Sequence, residues 1–221
     1  CIILRQEFPD LPLIFLFDGS LIFWHLEGKD PLIKNYFLKK YEELLEGFYK
    51  NDITIAGYIS LPKSKELVNL VRAQVGEFSA LNTHALDQVK HISDGTIARF
   101  FLEPQTRSLT FENHAPVSET YPSHLKPHFF YYHTGSEIAR IEIPAYVTHT
   151  VDRVNLLAGL VANQVVKGNG YPVAIAEAHE QAVVKGADRE FFYQAIGKVS
   201  IEQRRRLIPS QKSAKKRRMN V

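Results

Sequence analysis

The chain has 221 residues, 45% hydrophobic and 23% charged, the size and composition of one folded α/β domain with a small appendage. No uncharged apolar run approaches the roughly 20 residues of a membrane helix, and a single cysteine excludes a disulfide framework or a Cys-based zinc site and fits a reducing, cytoplasmic compartment. The net charge of +3 is unevenly held: residues 203–221 carry eight Lys/Arg and no acid, which leaves nineteen basic residues against 24 acidic ones, or −5, on the rest.

In chain order, residues 11–17 form a short apolar run stopped by Asp18-Gly19-Ser20, the pattern of a strand buried on both faces of a covered sheet. Residues 31–50 place Leu32, Tyr36, Leu38, Tyr41, Leu44, Leu45 and Phe48 at helical spacing, with Pro31 suited to a first helical turn. A second strand follows over 53–59 and a second helix over 64–75, with Ser64 as a plausible N-cap. Strand–helix–strand–helix suggests a crossover unit. A helix is expected over 84–102 and strands over 107–112, 128–133 and 138–147. Beyond them a helix over 151–167 is closed by Gly168-Asn169-Gly170, and helices over 172–184 and 187–198 precede the basic tail. The tail, polar and without apolar periodicity, reads as disordered; it either solubilises the chain or leans on nucleic-acid phosphates.

Asp18 is the first candidate for chemistry. A carboxylate just beyond an apolar strand sits where open α/β sheets place ligands and metals, although Asp-Gly-Ser is equally a turn in which Asp caps its own backbone. Tyr171 and His179 are the second. On a helix opening at Pro172, His179 shares its face with Ile175, Ala176, Ala182 and Val183 and is expected to point into the body, as a satisfied core histidine or as a ligand. Tyr171 stands at the mouth of that helix, where N–H groups favour anions such as phosphate. Ser93-Asp94 and Arg107-Ser108 are weaker phosphate candidates that a helix cap and a surface arginine explain as well, and the side of the sheet taken by Glu142 is open. There is no His-Glu-x-x-His, no phosphate-binding Gly-x-x-x-x-Gly-Lys-Ser/Thr loop, no Gly-x-Gly-x-x-Gly and no Gly-x-Ser-x-Gly.

Taken together, Phe-Leu-Phe-Asp-Gly-Ser-Leu (15–21), Ala-Gly-Tyr-Ile-Ser-Leu-Pro-Lys-Ser (56–64), Arg-Phe-Phe-Leu-Glu-Pro (99–104), Ala-Arg-Ile-Glu-Ile-Pro-Ala (139–145) and Gly-Tyr-Pro-Val-Ala-Ile-Ala-Glu-Ala-His-Glu (170–180) resemble the NurA nuclease family, in the flavour of its cyanobacterial branch. The last motif is the most specific. The resemblance spans residues 11–198, between a lead-in at 1–10 and the tail at 199–221. It implies an α/β fold with a ribonuclease H-like mixed sheet flanked by helices. It also implies a Mn2+-dependent (or Mg2+-dependent) nuclease acting on DNA ends in double-strand break repair, a homodimer, and a HerA-type hexameric helicase-translocase as partner.

Within that resemblance Asp18 and His179 would be metal ligands, His179 alternatively moving a proton, and Tyr171 would position phosphate or water. The helix and strand on the C-terminal side of Asp18 resemble those after the third carboxylate of the family's site rather than those after the first. With Cys1 at the start and Met219 as the single methionine, the first Asp and a Glu are expected upstream, the fold is expected to be N-terminally incomplete, and this chain is expected to have little or no activity. A non-catalytic module that binds DNA or a motor protein is the alternative.

Overall fold

The computed structural model describes residues 2–26, 28–75, 91–183 and 186–202. The expected tail falls outside them except for its first four residues, as do residues 84–90 of the helix expected over 84–102. The chain forms two compact units, residues 1–177 and 178–221.

The first unit is built on a five-stranded mixed sheet. Its elements are α1 (Ile2–Glu7), β1 (Ile14–Asp18), α2 (Pro31–Lys50), β2 (Thr54–Ser60), α3 (Glu66–Val75), α4 (Asp94–Phe101), β3 (Phe111–Glu112), β4 (Pro127–His133), β5 (Ile138–Pro144) and α5 (Val151–Lys167). The strand order is β1-β2-β5-β4-β3. β1 and β2 are parallel and the other pairs antiparallel, so α2 is the crossover that a parallel pair requires. A mixed sheet flanked by helices matches the expected ribonuclease H-like α/β fold.

The helices follow from local chemistry. At the start of α2 the Asp30 carboxylate accepts from Leu32 N at 2.9 Å and Pro31 occupies the first turn. Leu38, Tyr41, Leu45 and Phe48, spaced three and four apart, are its buried face. In α5, Thr150 caps the N-terminus while Val154, Leu157, Ala158, Val161 and Val165 face the core. Full burial of a Leu or Val there is worth about 1.5–3 kcal/mol.

Two expectations change, for β1 and for residues 107–112, and the side left open for Glu142 is now fixed. Among the described residues β1 lies at the edge of the sheet, and its burial falls away toward Phe17, which is 40% exposed; it is not the strand buried on both faces that its apolar run suggested. β5 alternates polar and apolar residues, yet every position is buried, because Arg140 and Glu142 neutralise each other at 3.0 Å. The strand expected over 107–112 shrinks to Phe111–Glu112, with Arg107 held only in an isolated bridge to Tyr132.

Ser93 and Asp94, weighed as phosphate contacts, are structural. Ser93 caps α4 through Thr96 N. The buried Asp94 takes Val68 N at 2.9 Å with one oxygen, capping α3, and the Tyr131 hydroxyl at 2.9 Å with the other. Ser64, the cap expected for α3, lies instead 2.9 Å from the Tyr131 hydroxyl.

Buried phenols mark this core. Tyr146 donates to Ile53 O at 2.6 Å and Tyr121 to Leu21 O at 3.4 Å, and burial pushes both up to about 12. A phenol titrates near 10 in an unfolded chain. The folded state therefore favours the protonated form, and that contribution is whole below pH 10 and lost as pH rises from 10 to 12. Melting temperature is expected to fall steeply across that window, and phenolate absorbance in the folded protein to lag that of the unfolded chain.

Candidate active site

Asp18 closes β1, and the chain turns at once. Gly19 adopts φ +126°, a conformation open to glycine, and donates its N–H to Tyr58 O at 3.0 Å. The next two residues are held by one buried carboxylate: Glu142 Oε2 accepts from Ser20 Oγ at 2.7 Å and from Leu21 N at 2.8 Å. Its other oxygen accepts from Arg140 Nε at 3.0 Å, and Arg140 Nη1 reaches Glu66 Oε1 on α3 at 2.9 Å. The guanidinium lies 3.7 Å over the Phe129 ring. Burial opposes its charge, but the carboxylates of Glu142 and Glu66 outweigh that and raise its pKa.

A second stretch of chain arrives from α5. The helix ends at Gly168, with Asn169 at φ 53° and Gly170 at φ 114° completing a left-handed exit. At Gly168 a Cβ would lie 1.9 Å from Tyr171 O, so no larger residue fits without moving Tyr171. The loop delivers the Tyr171 hydroxyl to Asp18 Oδ1 at 3.0 Å. Its ring meets that of Tyr58 edge-on at 5.3 Å, and Tyr58 donates in turn to Glu137 Oε1 at 3.4 Å, which also accepts from Ser60 Oγ at 2.7 Å. Burial first, then the hydrogen bond to Asp18 and the charges of Asp18 and Glu137, push the Tyr171 phenol up to about 12. At neutral pH it is a hydrogen-bond donor and not a base.

Two residues 153 positions apart thus meet at the end of the edge strand. A family model described as the NurA domain matches residues 12–184. The chain belongs to the NurA-domain family. The match runs from the residues before β1 past α6 (Val173–Ala182) and takes in both Asp18 and Tyr171, and at family level it supports a nuclease-related role in DNA repair. No curated protein and no solved structure matches the chain.

The remaining candidates of this NurA domain fall out differently. His179 lies on α6 just inside the second unit, which continues into α7 (Gly186–Glu202). It is exposed, as are residues 180–183; Ile175 is the buried residue of α6. The apolar stripe read from the sequence packs only in the first turn of the helix, so His179 is not a core histidine. The mouth of α6 is partly filled, since Gln164 Oε1 takes Ala174 N at 3.0 Å. Arg107 pairs with Asn155 Oδ1 through Nε and Nη2 at 3.2 and 2.6 Å, and Ser108 Oγ accepts from Tyr131 N at 2.9 Å.

Glu137 is the residue that sequence reasoning missed, and Glu142 is one that it named with its side of the sheet left open. For Glu142 the signal was present in Arg-Ile-Glu, two opposite charges two apart on one face of an otherwise apolar strand. For Glu137, in a turn of Thr, Gly and Ser, there was none. Among the described residues no group of three or more His, Cys, Asp or Glu stands where it could hold a metal ion. A cation with oxygen ligands typically takes six or more, so the described side chains at this corner do not by themselves complete a cation site.

Proposed function

We propose that this NurA domain belongs to a DNA nuclease of end processing in double-strand break repair, working with Mn2+ or Mg2+ and beside a HerA-type hexameric motor. The convergence of Asp18 and Tyr171 carries the reading. A carboxylate at a strand end with a protonated phenol 3.0 Å away offers an anionic oxygen to a cation and a neutral donor to a phosphate oxygen. In this reading Asp18 supplies one ligand, Tyr171 orients phosphate or water by donating its proton, and the exposed His179 serves as ligand or proton carrier. Further groups must complete the cation's shell, since charge count sets the affinity of such oxygen sites.

The second reading is a non-catalytic module that binds DNA or a motor protein, and the incomplete donor set among the described residues is what favours it. One assay separates the two: degradation of linear DNA by the 221-residue chain in Mn2+ and in EDTA. Weak, Mn2+-dependent degradation is expected, abolished by Asp18→Ala and lowered about 100–1000-fold by Tyr171→Phe, the scale of losing one positioned donor. DNA binding with no Mn2+-dependent cleavage would select the binding module. Strong cleavage untouched by Asp18→Ala would dismiss this corner as the site.

A further inference from the structure

We propose that Glu137 is a positioning residue of this corner: it holds the Tyr58 hydroxyl, sets the Tyr58 ring against which Tyr171 stands, and so keeps the Tyr171 hydroxyl on Asp18. The proposal rests on the reading of Asp18 and Tyr171 as part of a cleaving site, and adds to it a residue that lies outside every motif of the resemblance.

Two phenol–carboxylate pairs stand side by side here. Asp18 and Tyr58 are register partners across the parallel pair β1 and β2, so their side chains leave the same face of the sheet, and Ser60, two residues on, shares it. Tyr171 donates to Asp18 Oδ1 at 3.0 Å and Tyr58 to Glu137 Oε1 at 3.4 Å. The two rings meet at 5.3 Å and 86°, an edge-to-face contact with a preferred geometry. Tyr58 is 1% exposed, and among the described residues Glu137 is the acceptor of its hydroxyl. A buried hydroxyl without an acceptor carries its full desolvation penalty. Loss of Glu137 therefore drives the Tyr58 ring to turn, and the Tyr171 ring packed on it turns too.

The turn that joins β4 to β5 is braced so that Glu137 can do this. Ser60 Oγ donates to the same Oε1 at 2.7 Å. Thr134 Oγ1 accepts from Glu137 N at 3.0 Å and donates to Glu137 O at 3.1 Å, while Gln105 Nε2 donates to Thr134 O at 3.2 Å and Arg99 to Ser136 O. The same turn faces the loop that delivers Tyr171, since a Cβ on Gly170 would lie 3.6 Å from Ser136 Oγ. Both donors to Glu137 are neutral hydroxyls, whereas Glu142 answers the charge of Arg140. An amide oxygen accepts from hydroxyls as a carboxylate does, so the geometry asks for an acceptor at this point and not for its charge. That separates positioning from ligation of a cation, which Glu137→Gln would not sustain.

Nuclear magnetic resonance of the 221-residue chain with isotope-labelled tyrosine reads this geometry without any cleavage, the Tyr171 ring signal being the one missing from Tyr171→Phe. Glu137→Ala is expected to shift that signal and Glu137→Gln to leave it in place. Mn2+-dependent degradation of linear DNA is expected to follow: kcat falls up to about 100-fold in Glu137→Ala, the scale of an ångström-sized misplacement, with KM unchanged, and recovers in Glu137→Gln. Because Glu137 acts through Tyr58, Tyr58→Phe is expected to match Glu137→Ala, and the double variant to be no worse than either alone. Should Glu137→Ala fail to fold, Tyr58→Phe, which removes only the hydroxyl that Glu137 holds, carries the same two expectations. A Tyr171 signal indifferent to Glu137→Ala, a Glu137→Gln protein as slow as Glu137→Ala, or losses that multiply in the double variant overturns the proposal. If the unaltered chain degrades no DNA in Mn2+, the cleavage reading falls, and the Tyr171 signal alone decides for or against Glu137.

Discussion

Replacing Glu142 with alanine is expected to destabilise the protein by about 3–5 kcal/mol, the scale for breaking a buried ion pair from one side. Against a typical total of roughly 5–15 kcal/mol, that is a large share. The reason is what remains. Arg140, almost fully buried, keeps its charge with Glu66 alone, and the N–H of Leu21 and the hydroxyl of Ser20 lose their acceptor. Glu142→Gln keeps an oxygen for Leu21 and removes the charge, so its loss is expected to be smaller, about 2 kcal/mol. Urea denaturation of the three proteins checks the order. A loss below about 1 kcal/mol for Glu142→Ala would show that the turn after Asp18 is held by something else. The ion pair of Arg153 with the exposed Asp52 makes the contrast: its removal falls in the roughly 0–1 kcal/mol range of surface pairs.

The second large effect is expected at Gly57, on β2 directly beside the site. A Cβ there would lie 2.5 Å from Gly19 O and 3.1 Å from Leu21 Cγ. The closer atom is backbone, so the turn itself has to move. Overpacking of this kind costs about 1–3 kcal/mol, and here the displaced segment is the one that carries Asp18. Gly57→Ala is therefore expected to lower the melting temperature and also to break the hydrogen bond from Tyr171 to Asp18. Near-ultraviolet circular dichroism, which senses the packing of Tyr171 on Tyr58, reads the second change. A stable Gly57→Ala protein with an unaltered aromatic spectrum would mean that the turn has slack that the geometry does not show.

Much of the fold was legible because its helices are written locally. α2 begins where Asp30-Pro31, and α5 ends where Gly168, places the boundary; of the apolar positions at helical spacing in α2, Leu38, Tyr41, Leu45 and Phe48 are buried while Leu32, Tyr36 and Leu44 are exposed. What could not be read was every feature set by position in the sheet. The run around Ile14–Asp18 has the composition of a central strand and lies at an edge, and neither composition nor period encodes strand order. The alternation of polar and apolar residues in β5 left the side taken by Glu142 open, and in the structure Arg140 and Glu142 form an internal pair. At the site, Asp18 and Tyr171 were legible as residue types in family-like motifs, and their hydrogen bond spans 153 residues that no local pattern connects. Glu137 was invisible because its partners, Tyr58 and Ser60, come from another strand.

Asp94, in the first turn of α4, gives one carboxylate to a helix and a strand, α3 and β4. It opens α4, and with Oδ1 on Val68 N it also closes the first turn of α3, 26 residues earlier. The first turn of α3 is thus completed only by chain that leaves the ribosome after it, and Tyr131 of β4 must come later still to take up Oδ2. The cap of α3 is thereby tied to the folding of α4 and β4, and native-state hydrogen exchange is expected to show the first turn of α3 opening together with them.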